Sequence, residues 1–241
     1  MILLLAALAA CDATAVEDPG DDPDSPPVGA DAPDGIYMGL RTNMDGDTYE
    51  DFFTFYPDGH VLRFNPSEGL DRPTDFDAAC EFGVCGTYTV EDDEVHILWG
   101  QSTTPEVYDV DGQGALQRRG QTGKHRPTPS LDGLRLAATY GLPQGPGEPP
   151  FAHVTLTADG RFEENNLLDY LNWELDPEHP ERDGTAVPRG TGTYTIRRNT
   201  LTLRYDGGFV AYLAVVVPPG EVGRPTPDAV YLNGGNLGRL P

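Results

Sequence analysis

From residue 35 onward, hydrophobic residues alternate with polar ones in many short runs of the chain. A period of two puts every second side chain on the same face of an extended strand, as in a half-buried β-sheet. Asp-Gly pairs and short polar connections of hairpin length separate the runs, and no helical periodicity of comparable length passes through them. The pattern therefore predicts an all-β protein of short antiparallel strands.

The strand pattern occurs twice along the chain, which indicates an internal repeat. In each copy a strand, an Asp-Gly turn and a second strand are followed, after an interruption, by a Gly-Thr-Tyr strand and a further apolar strand. The matched segments are 34–37 with 132–135, 53–61 with 154–162, 86–90 with 192–196, and 95–99 with 201–205. Each copy therefore offers about seven short antiparallel strands.

Closure of each copy into a small barrel would remove the unpaired strand edges. The order of features, namely a Gly-x-Tyr start, an aromatic or aliphatic strand, an Asp-Gly turn and a later Gly-Thr-Tyr strand, resembles lipocalin-like and related calycin-type envelope domains. We therefore expect a tandem repeat of antiparallel meander modules that form small lipocalin-like barrels. One joint barrel or a sandwich is the alternative.

The first ten residues are apolar, about half the ~20 residues that a helix needs to cross a bilayer. They end in Leu8-Ala9-Ala10-Cys11, which resembles the lipobox of bacterial lipoproteins. The resemblance implies that the chain is cut before Cys11, that Cys11 carries a lipid anchor of diacylglyceryl and further acyl (palmitate-type) chains, and that the protein is held on the inner or outer membrane of the cell envelope. No Lys or Arg precedes the apolar run, which leaves open a start codon further upstream.

Residues 12–34 contain eight acidic residues, five prolines and no basic residue, a composition typical of a disordered tether. The expected organisation is a signal peptide at 1–10, the lipidated cysteine and acidic tether at 11–34, and a first β repeat at 35–120. A linker at 121–131 and a second β repeat at 132–241 follow. The bases from Arg118 to Arg126 are interpreted as belonging to the linker region.

With Cys11 assigned to lipid, the remaining cysteines Cys80 and Cys85 form an even set. A disulfide between them would persist in an oxidising compartment and supports export of the chain. Two free thiols are the alternative. Zinc has less support, because there is no second cysteine pair and no histidine with metal-like spacing to another.

The chain has 16 basic and 39 acidic residues, a formal net charge of -23, which argues against nucleic-acid binding and against electrostatic docking on an anionic bilayer. It contains no nucleophile elbow, phosphate-binding loop, zinc-protease motif or dinucleotide fingerprint. We therefore predict no catalytic residue, no cofactor, no metal and no enzymatic activity.

Both copies are interrupted at the same place, by residues 65–84 and 163–190, and equivalent insertions are expected at the same pole of a repeated fold. The second insertion has helical spacing after Asn166, which would cap the helix. Aromatic side chains in the two insertions are the candidate contacts with a ligand or partner: Trp173, Tyr170, Phe76 and Phe82.

Three functions remain open. The first is a non-catalytic envelope lipoprotein that binds a small apolar ligand, a glycan or a protein. The others are a structural or spacer lipoprotein and, with less support, a hydrolase of envelope polymers. A wide interior would favour a small apolar ligand, whereas a filled one would favour protein contact. The side chains that decide this are Tyr37, Phe53, Phe55, Tyr88 and Trp99.

Overall fold

The structure, a computed structural model, describes residues 32–42, 46–66, 68–100, 102–142, 150–175, 189–218, 220 and 224–241. They form two closed eight-stranded antiparallel barrels in tandem. In each barrel the strands follow one another around the wall in chain order, and the last strand pairs with the first. The prediction of two small barrels is confirmed. The expected signal peptide, Cys11 and most of the acidic tether lie outside the described residues.

The first barrel is closed by a strand that the sequence interpretation assigned to the linker at 121–131. The strands are β1 (Gly35–Thr42), β2 (Thr48–Phe55), β3 (His60–Leu62), β4 (Cys85–Glu91), β5 (Glu94–Trp99), β6 (Glu106–Val110), β7 (Leu116–Arg118) and β8 (Lys124–Pro127), with helix α1 (Phe76–Glu81) between β3 and β4. Strand β8 pairs with β1 at Tyr37–Pro127 and Met38–Arg126. It was missed because its sequence, Lys-His-Arg-Pro, has no apolar alternation, and the buried residue is His125.

The second barrel begins later than the repeat pattern predicted. Its elements are β9 (Ala138–Gly141), β10 (His153–Leu156), β11 (Arg161–Asn165), α2 (Leu167–Leu175), β12 (Gly190–Arg197), β13 (Thr200–Tyr205), β14 (Val210–Val216), β15 (Ala229–Leu232) and β16 (Gly235–Arg239). In the first barrel, Tyr37 of β1 lies opposite Phe53 of β2. In the second barrel, Tyr140 of β9 lies opposite Val154 of β10, which is the residue equivalent to Phe53. Ala138 therefore corresponds to Gly35, and the match of segment 34–37 with 132–135 is wrong, because Asp132-Gly133 forms a turn ahead of the barrel.

In each barrel one buried tyrosine makes the same set of hydrogen bonds to the backbone. The hydroxyl group of Tyr88 donates to the carbonyl oxygen of Pro33 at 2.9 Å and reaches that of Tyr56 at 3.0 Å. Its backbone N–H donates to Gly59 in the Asp-Gly turn. In the second barrel, Tyr194 repeats these contacts with Leu136 at 2.8 Å, Thr157 at 3.1 Å and Gly160. The matched Gly-Thr-Tyr segments thus mark a repeated connection between the start of the first strand and the Asp-Gly hairpin.

Sterics explain why each Gly-Thr-Tyr segment begins with glycine. A Cβ atom on Gly86 or Gly192 would collide with the backbone carbonyl of Leu98 or Arg204 on the neighbouring strand. Any larger residue would push β4 away from β5, or β12 away from β13.

Aromatic rings fill the interior of the first barrel. The ring of Phe55 meets Tyr37 and Tyr88 edge to face at centroid distances of 5.1 and 5.0 Å, and Phe53 packs beside it. The core of the second barrel is mainly aliphatic. In the first barrel the predicted inward residues are therefore core residues that occupy the space a small apolar ligand would need.

Apolar residues on the outside of the two barrels pack against each other. Ile36 and Phe52 face outward from β1 and β2 and cluster with Leu70, Val216 and Tyr231. The rings of Phe52 and Tyr231 are 5.6 Å apart, and the Tyr231 hydroxyl donates to Glu50 at 2.9 Å. The outer wall of the first barrel is thus a contact surface for the second.

The first insertion completes this interface. The backbone N–H of Asp71 donates to Oγ1 of Thr200 at 2.9 Å, and the Arg72 guanidinium lies 4.6 Å from the ring centre of Tyr212. Gly69 has a φ of 75°, and a Cβ atom there would collide with Thr200. A glycine is required where the insertion passes so close to the second barrel.

The first barrel has two different ends. Strands β1, β3, β5 and β7 end, and strands β2, β4, β6 and β8 begin, at the end that we call the mouth. The mouth is defined by Asp51, Arg63, Trp99, Glu106 and Arg118. The chain enters the barrel at the opposite end, where Pro33 accepts the hydrogen bond of Tyr88.

Candidate functional site

The first insertion contains two of the candidate contact residues, Phe76 and Phe82. Helix α1 packs on the outer wall of its barrel, where Phe76 stacks on His60 at 4.3 Å and meets Tyr56 at 4.9 Å. Phe82 follows the helix and is 82% exposed. The predicted disulfide partners lie at bonding distance, since Cys80 and Cys85 have Cα atoms 4.8 Å apart and join α1 to β4.

The second insertion forms the predicted helix, α2, which closes one end of the second barrel. Leu167, Leu168 and Leu171 are buried in its core, and Tyr170 is half-buried against that core. Trp173 lies in α2, but its side chain lies outside the described residues. The two insertions leave the wall at corresponding ends of their barrels, but within the described residues α1 lies along the outer wall whereas α2 covers the end. The shared binding pole stays a prediction.

The cap of α2 also differs from the prediction. The Asn166 side chain donates to the carbonyl oxygen of Phe151 instead of capping the helix. The carboxylate of Glu164 accepts a hydrogen bond from the backbone N–H of Leu167 at 3.0 Å and from the hydroxyl of Tyr205 at 3.1 Å. Glu164 is buried, and this burial raises the pKa of its carboxyl group above the ordinary value.

The mouth of the first barrel contains a cluster centred on Glu106. One carboxylate oxygen, Oε1, accepts a hydrogen bond from Nη2 of Arg63 at 3.1 Å and forms an ion pair with Nη2 of Arg118 at 2.9 Å. The other, Oε2, accepts from Nε1 of Trp99 at 3.0 Å and from the hydroxyl of Tyr108 at 2.9 Å. Three hydrogen-bond donors and one further cation, from three neighbouring strands and the end of β3, thus converge on a single carboxylate.

The electrostatics of the cluster follow from this arrangement. Burial, and then the Glu106 charge, raises the pKa of Tyr108 above its usual range, so its hydroxyl group remains a donor at neutral pH. The guanidinium carbon of Arg63 lies 4.3 Å from the ring centre of Trp99, a cation–π contact that holds both side chains. Two cations therefore share one carboxylate beside an aromatic wall.

A second polar pair lies deeper in the mouth. Nε2 of His125 is 3.1 Å from Oδ2 of Asp51, and its ring stacks on Phe53 at 4.2 Å. A Cβ atom on Gly39 would lie 2.8 Å from the His125 ring, so glycine makes room for it. The Nδ1 atom of His125 has no hydrogen-bond partner among the described residues.

Two spaces adjoin these groups. A cavity of about 20 Å³ lies between the His125–Asp51 pair and the Glu106 cluster, enough for a single water molecule. A more open groove of about 520 Å³ lies beside the cluster, within the size range of small-molecule sites. The groove is lined by Arg63, Trp99, Ser102, Thr104, Pro105, Glu106, Val107, Arg118 and Arg119.

The second barrel does not repeat the cluster. In the strand register, Glu106 of β6 lies opposite Ile97 of β5. In the second barrel, Ala211 of β14 lies opposite Leu203 of β13, the residue equivalent to Ile97, so Ala211 occupies the position of Glu106. By the same register Leu213 replaces Tyr108. The position of Arg63 is taken by Glu164, which caps α2. An open charged mouth therefore distinguishes the first barrel from the second, whose corresponding end is closed by α2.

Sequence reasoning missed the cluster. It assigned Arg118 to the linker region and did not single out Arg63 or Glu106. The sequence signal that could have revealed the cluster is the position of its residues at strand ends. Trp99 is the last residue of one strand, Glu106 the first of the next and Arg118 the last of the third. Consecutive antiparallel strands bring these three positions to the same end of the sheet. Recognising that signal requires the boundaries of β6 and β7, which are short and only partly apolar.

None of the described helices is long and apolar enough to cross a membrane. In the part of the chain that the structure describes, no three His, Cys, Asp or Glu side chains are grouped as metal ligands. No protein-family model, curated protein or solved structure matches this chain.

Proposed function

We propose that the chain is a lipid-anchored cell-envelope protein without catalytic activity and that it binds its ligand at the mouth of the first barrel. The lipobox-like segment ending in Cys11 supports the anchor. The observation that carries the binding role is the Glu106 cluster beside an open groove.

A purely structural role does not account for the cluster. Removing charged side chains from water costs free energy unless other groups compensate, and an apolar replacement is often as stable. The second barrel has such replacements, with Ala211 and Leu213 in the equivalent positions. The first barrel keeps two arginines and a carboxylate at an accessible end, which favours a binding role over a spacer.

The geometry also favours binding over catalysis. Glu106 accepts three hydrogen bonds and forms an ion pair with Arg118, and these contacts occupy the acceptor sites that a general base would need. The filled interior favours a ligand that binds at the rim of the barrel, such as a glycan or part of a protein, over an apolar molecule enclosed inside it.

Fractionation tests the anchor. The Cys11→Ser variant should move from the membrane fraction to the soluble fraction, because it cannot be acylated. Unchanged membrane association would contradict the anchor.

NMR spectroscopy of the same full-length Cys11→Ser protein tests the binding site. The chain has two tryptophans, and the indole N–H of Trp99 lies in the cluster whereas Trp173 lies in α2. Titration with soluble envelope glycan fragments and with envelope peptides should shift the Trp99 indole resonance and leave that of Trp173 unchanged. A shift confined to Trp173, or none with any fraction, would refute binding at the mouth and favour the spacer role.

A further inference from the structure

The two arginines of the mouth offer more hydrogen-bond donors than Glu106 uses. Arg63 and Arg118 each contact Glu106 through Nη2 alone. Their other guanidinium nitrogens have no hydrogen-bond partner within the described ranges. The side chains are 32% and 34% exposed, and both line the groove. Donors are therefore left for an incoming acceptor.

Glu106 fixes the two guanidinium groups side by side. Both Nη2 atoms bind the same oxygen, at 3.1 and 2.9 Å, so they are no more than about 6 Å apart. Two positive charges this close repel each other, and the shared carboxylate offsets the repulsion. Glu106 is therefore a positioning residue that holds two cations ready for one ligand, at little further cost in side-chain ordering.

The charge of the groove favours an anion, although the whole chain carries -23. Arg119 also lines the groove, but it is paired with Glu94 and Asp109. Arg63 and Arg118 face Glu106 alone, so these three side chains carry one positive charge in excess, whereas Arg119 with its two carboxylates carries one negative charge. The positive charge is therefore confined to the part of the groove beside Glu106. The Debye length is about 8 Å at physiological ionic strength, so repulsion from distant carboxylates is largely screened while direct contacts in the groove persist.

The remaining lining is suited to hydroxyl groups. Ser102 and Thr104 are exposed on the β5–β6 loop, and the Ser102 hydroxyl donates to the carbonyl oxygen of Thr104. The Thr104 hydroxyl has no partner in the part of the chain that is described. Pro105 and Trp99 provide apolar surface in the same groove.

We propose that the groove binds a small hydroxylated carboxylic acid of the sugar-acid class. Its carboxylate accepts from the unused nitrogens of Arg63 and Arg118, and its hydroxyl groups face Ser102 and Thr104. Planar guanidinium groups suit the two oxygens of a carboxylate better than a point charge does. This inference rests on the proposed binding role of the mouth and names the ligand class of that site.

Calorimetry with digalacturonate tests the inference on the full-length Cys11→Ser protein. Its dimethyl ester is the matched neutral probe, since it keeps the hydroxyl groups and lacks the charge. We expect the acid to bind and the ester to bind roughly tenfold more weakly or worse, because the charge-assisted hydrogen bonds are lost. Equal affinity for acid and ester would overturn the inference.

Variants locate the carboxylate. Arg118→Gln should weaken digalacturonate binding by roughly tenfold or more, and Arg118→Lys should recover only part of it, because lysine keeps the charge without the planar fork. Arg204→Gln, at an exposed arginine of the second barrel, is the control and should bind normally. Circular dichroism melts identify any variant that fails to fold, and Glu106→Gln then serves as the second variant, with weaker binding again expected. Unchanged affinity in a folded Arg118→Gln or Glu106→Gln protein would overturn the inference.

The two proposals can fail separately. If an acidic peptide or a neutral glycan shifts the Trp99 resonance and digalacturonate does not bind, the sugar-acid inference is wrong and the binding role of the mouth stands. If no probe affects Trp99, both are wrong.

Discussion

The repeated tyrosine gives a prediction that compares the two barrels directly. Tyr88→Phe and Tyr194→Phe each remove one hydroxyl group and leave the buried ring in place. Burial raises the pKa of both tyrosines above the ordinary value of 10.0, so each hydroxyl group is a donor throughout the neutral range. The substitution therefore deletes a hydrogen bond without making a large cavity.

The size of the loss follows from the carbonyl groups that remain. The carbonyl of Tyr56 also accepts from Gly59 and keeps a partner after the substitution. The buried carbonyl of Pro33 has no other hydrogen-bond donor among the described residues. Leaving one buried acceptor unsatisfied costs about 1–3 kcal/mol. In the second barrel the carbonyl of Thr157 likewise keeps a donor, Gly160, whereas the carbonyl of Leu136 loses the Tyr194 hydroxyl. We therefore expect an equal loss of stability there.

Urea unfolding of each variant, followed by circular dichroism and tryptophan emission, measures the loss. In a thermal melt of a barrel of roughly 100 residues, a loss of 1 kcal/mol in the free energy of unfolding corresponds to a decrease in Tm of about 4–8 °C. Tyr49→Phe is the matched control, because Tyr49 is 41% exposed and its change should have little effect. A loss no larger than that of the control, or losses in the two barrels that differ by more than about 1 kcal/mol, would refute the equivalence of the two tyrosines.

Three further predictions concern the stability of the two barrels and the oxidation state of the cysteines. Phe55→Ala should cost about 3–5 kcal/mol in urea unfolding, because it empties the centre of the first core, whereas Phe82→Ala at an exposed position should be neutral. Burial raises the folded-state pKa of Glu164 above its ordinary 4.5, so the wild type loses stability as the pH rises from that value through the raised pKa. The stability of Glu164→Gln relative to wild type should therefore increase across that window, and a constant difference in pH-dependent urea titrations would contradict it. Mass spectrometry after alkylation should show Cys80 and Cys85 blocked in the native protein and labelled after reduction; labelling without reduction would contradict the disulfide.

Local signals in the sequence predict the strands well but not what the strands contact. The Asp-Gly turns and Gly-Thr-Tyr segments reveal the repeat, because each depends on neighbours within one hairpin. Strand β8 has no such signal, since its inward residue is His125 and not an apolar one. The apolar outward positions Ile36 and Phe52 cannot be recognised as an interface without knowing that a second barrel covers them.

The candidate site shows the same limit more strongly. Arg63, Glu106 and Arg118 come from distant parts of the chain and meet only after the barrel has closed. Aromatic residues in the insertions were more conspicuous, yet Phe76 packs against the wall and Phe82 contributes only exposed surface. Insertions of equal position can evolve different roles, because nothing in strand order decides whether a loop folds over the end of a barrel or along its side.

Pro33 lies at the end of the first barrel opposite the mouth, so the chain leads into this barrel at the end away from the groove beside Glu106. With the chain held at Cys11, as proposed above, the groove would lie at the end of the first barrel farthest from the segment that joins it to the anchor. Material at a distance from the bilayer, including polymers too bulky to approach the lipid headgroups, would therefore meet the arginines first.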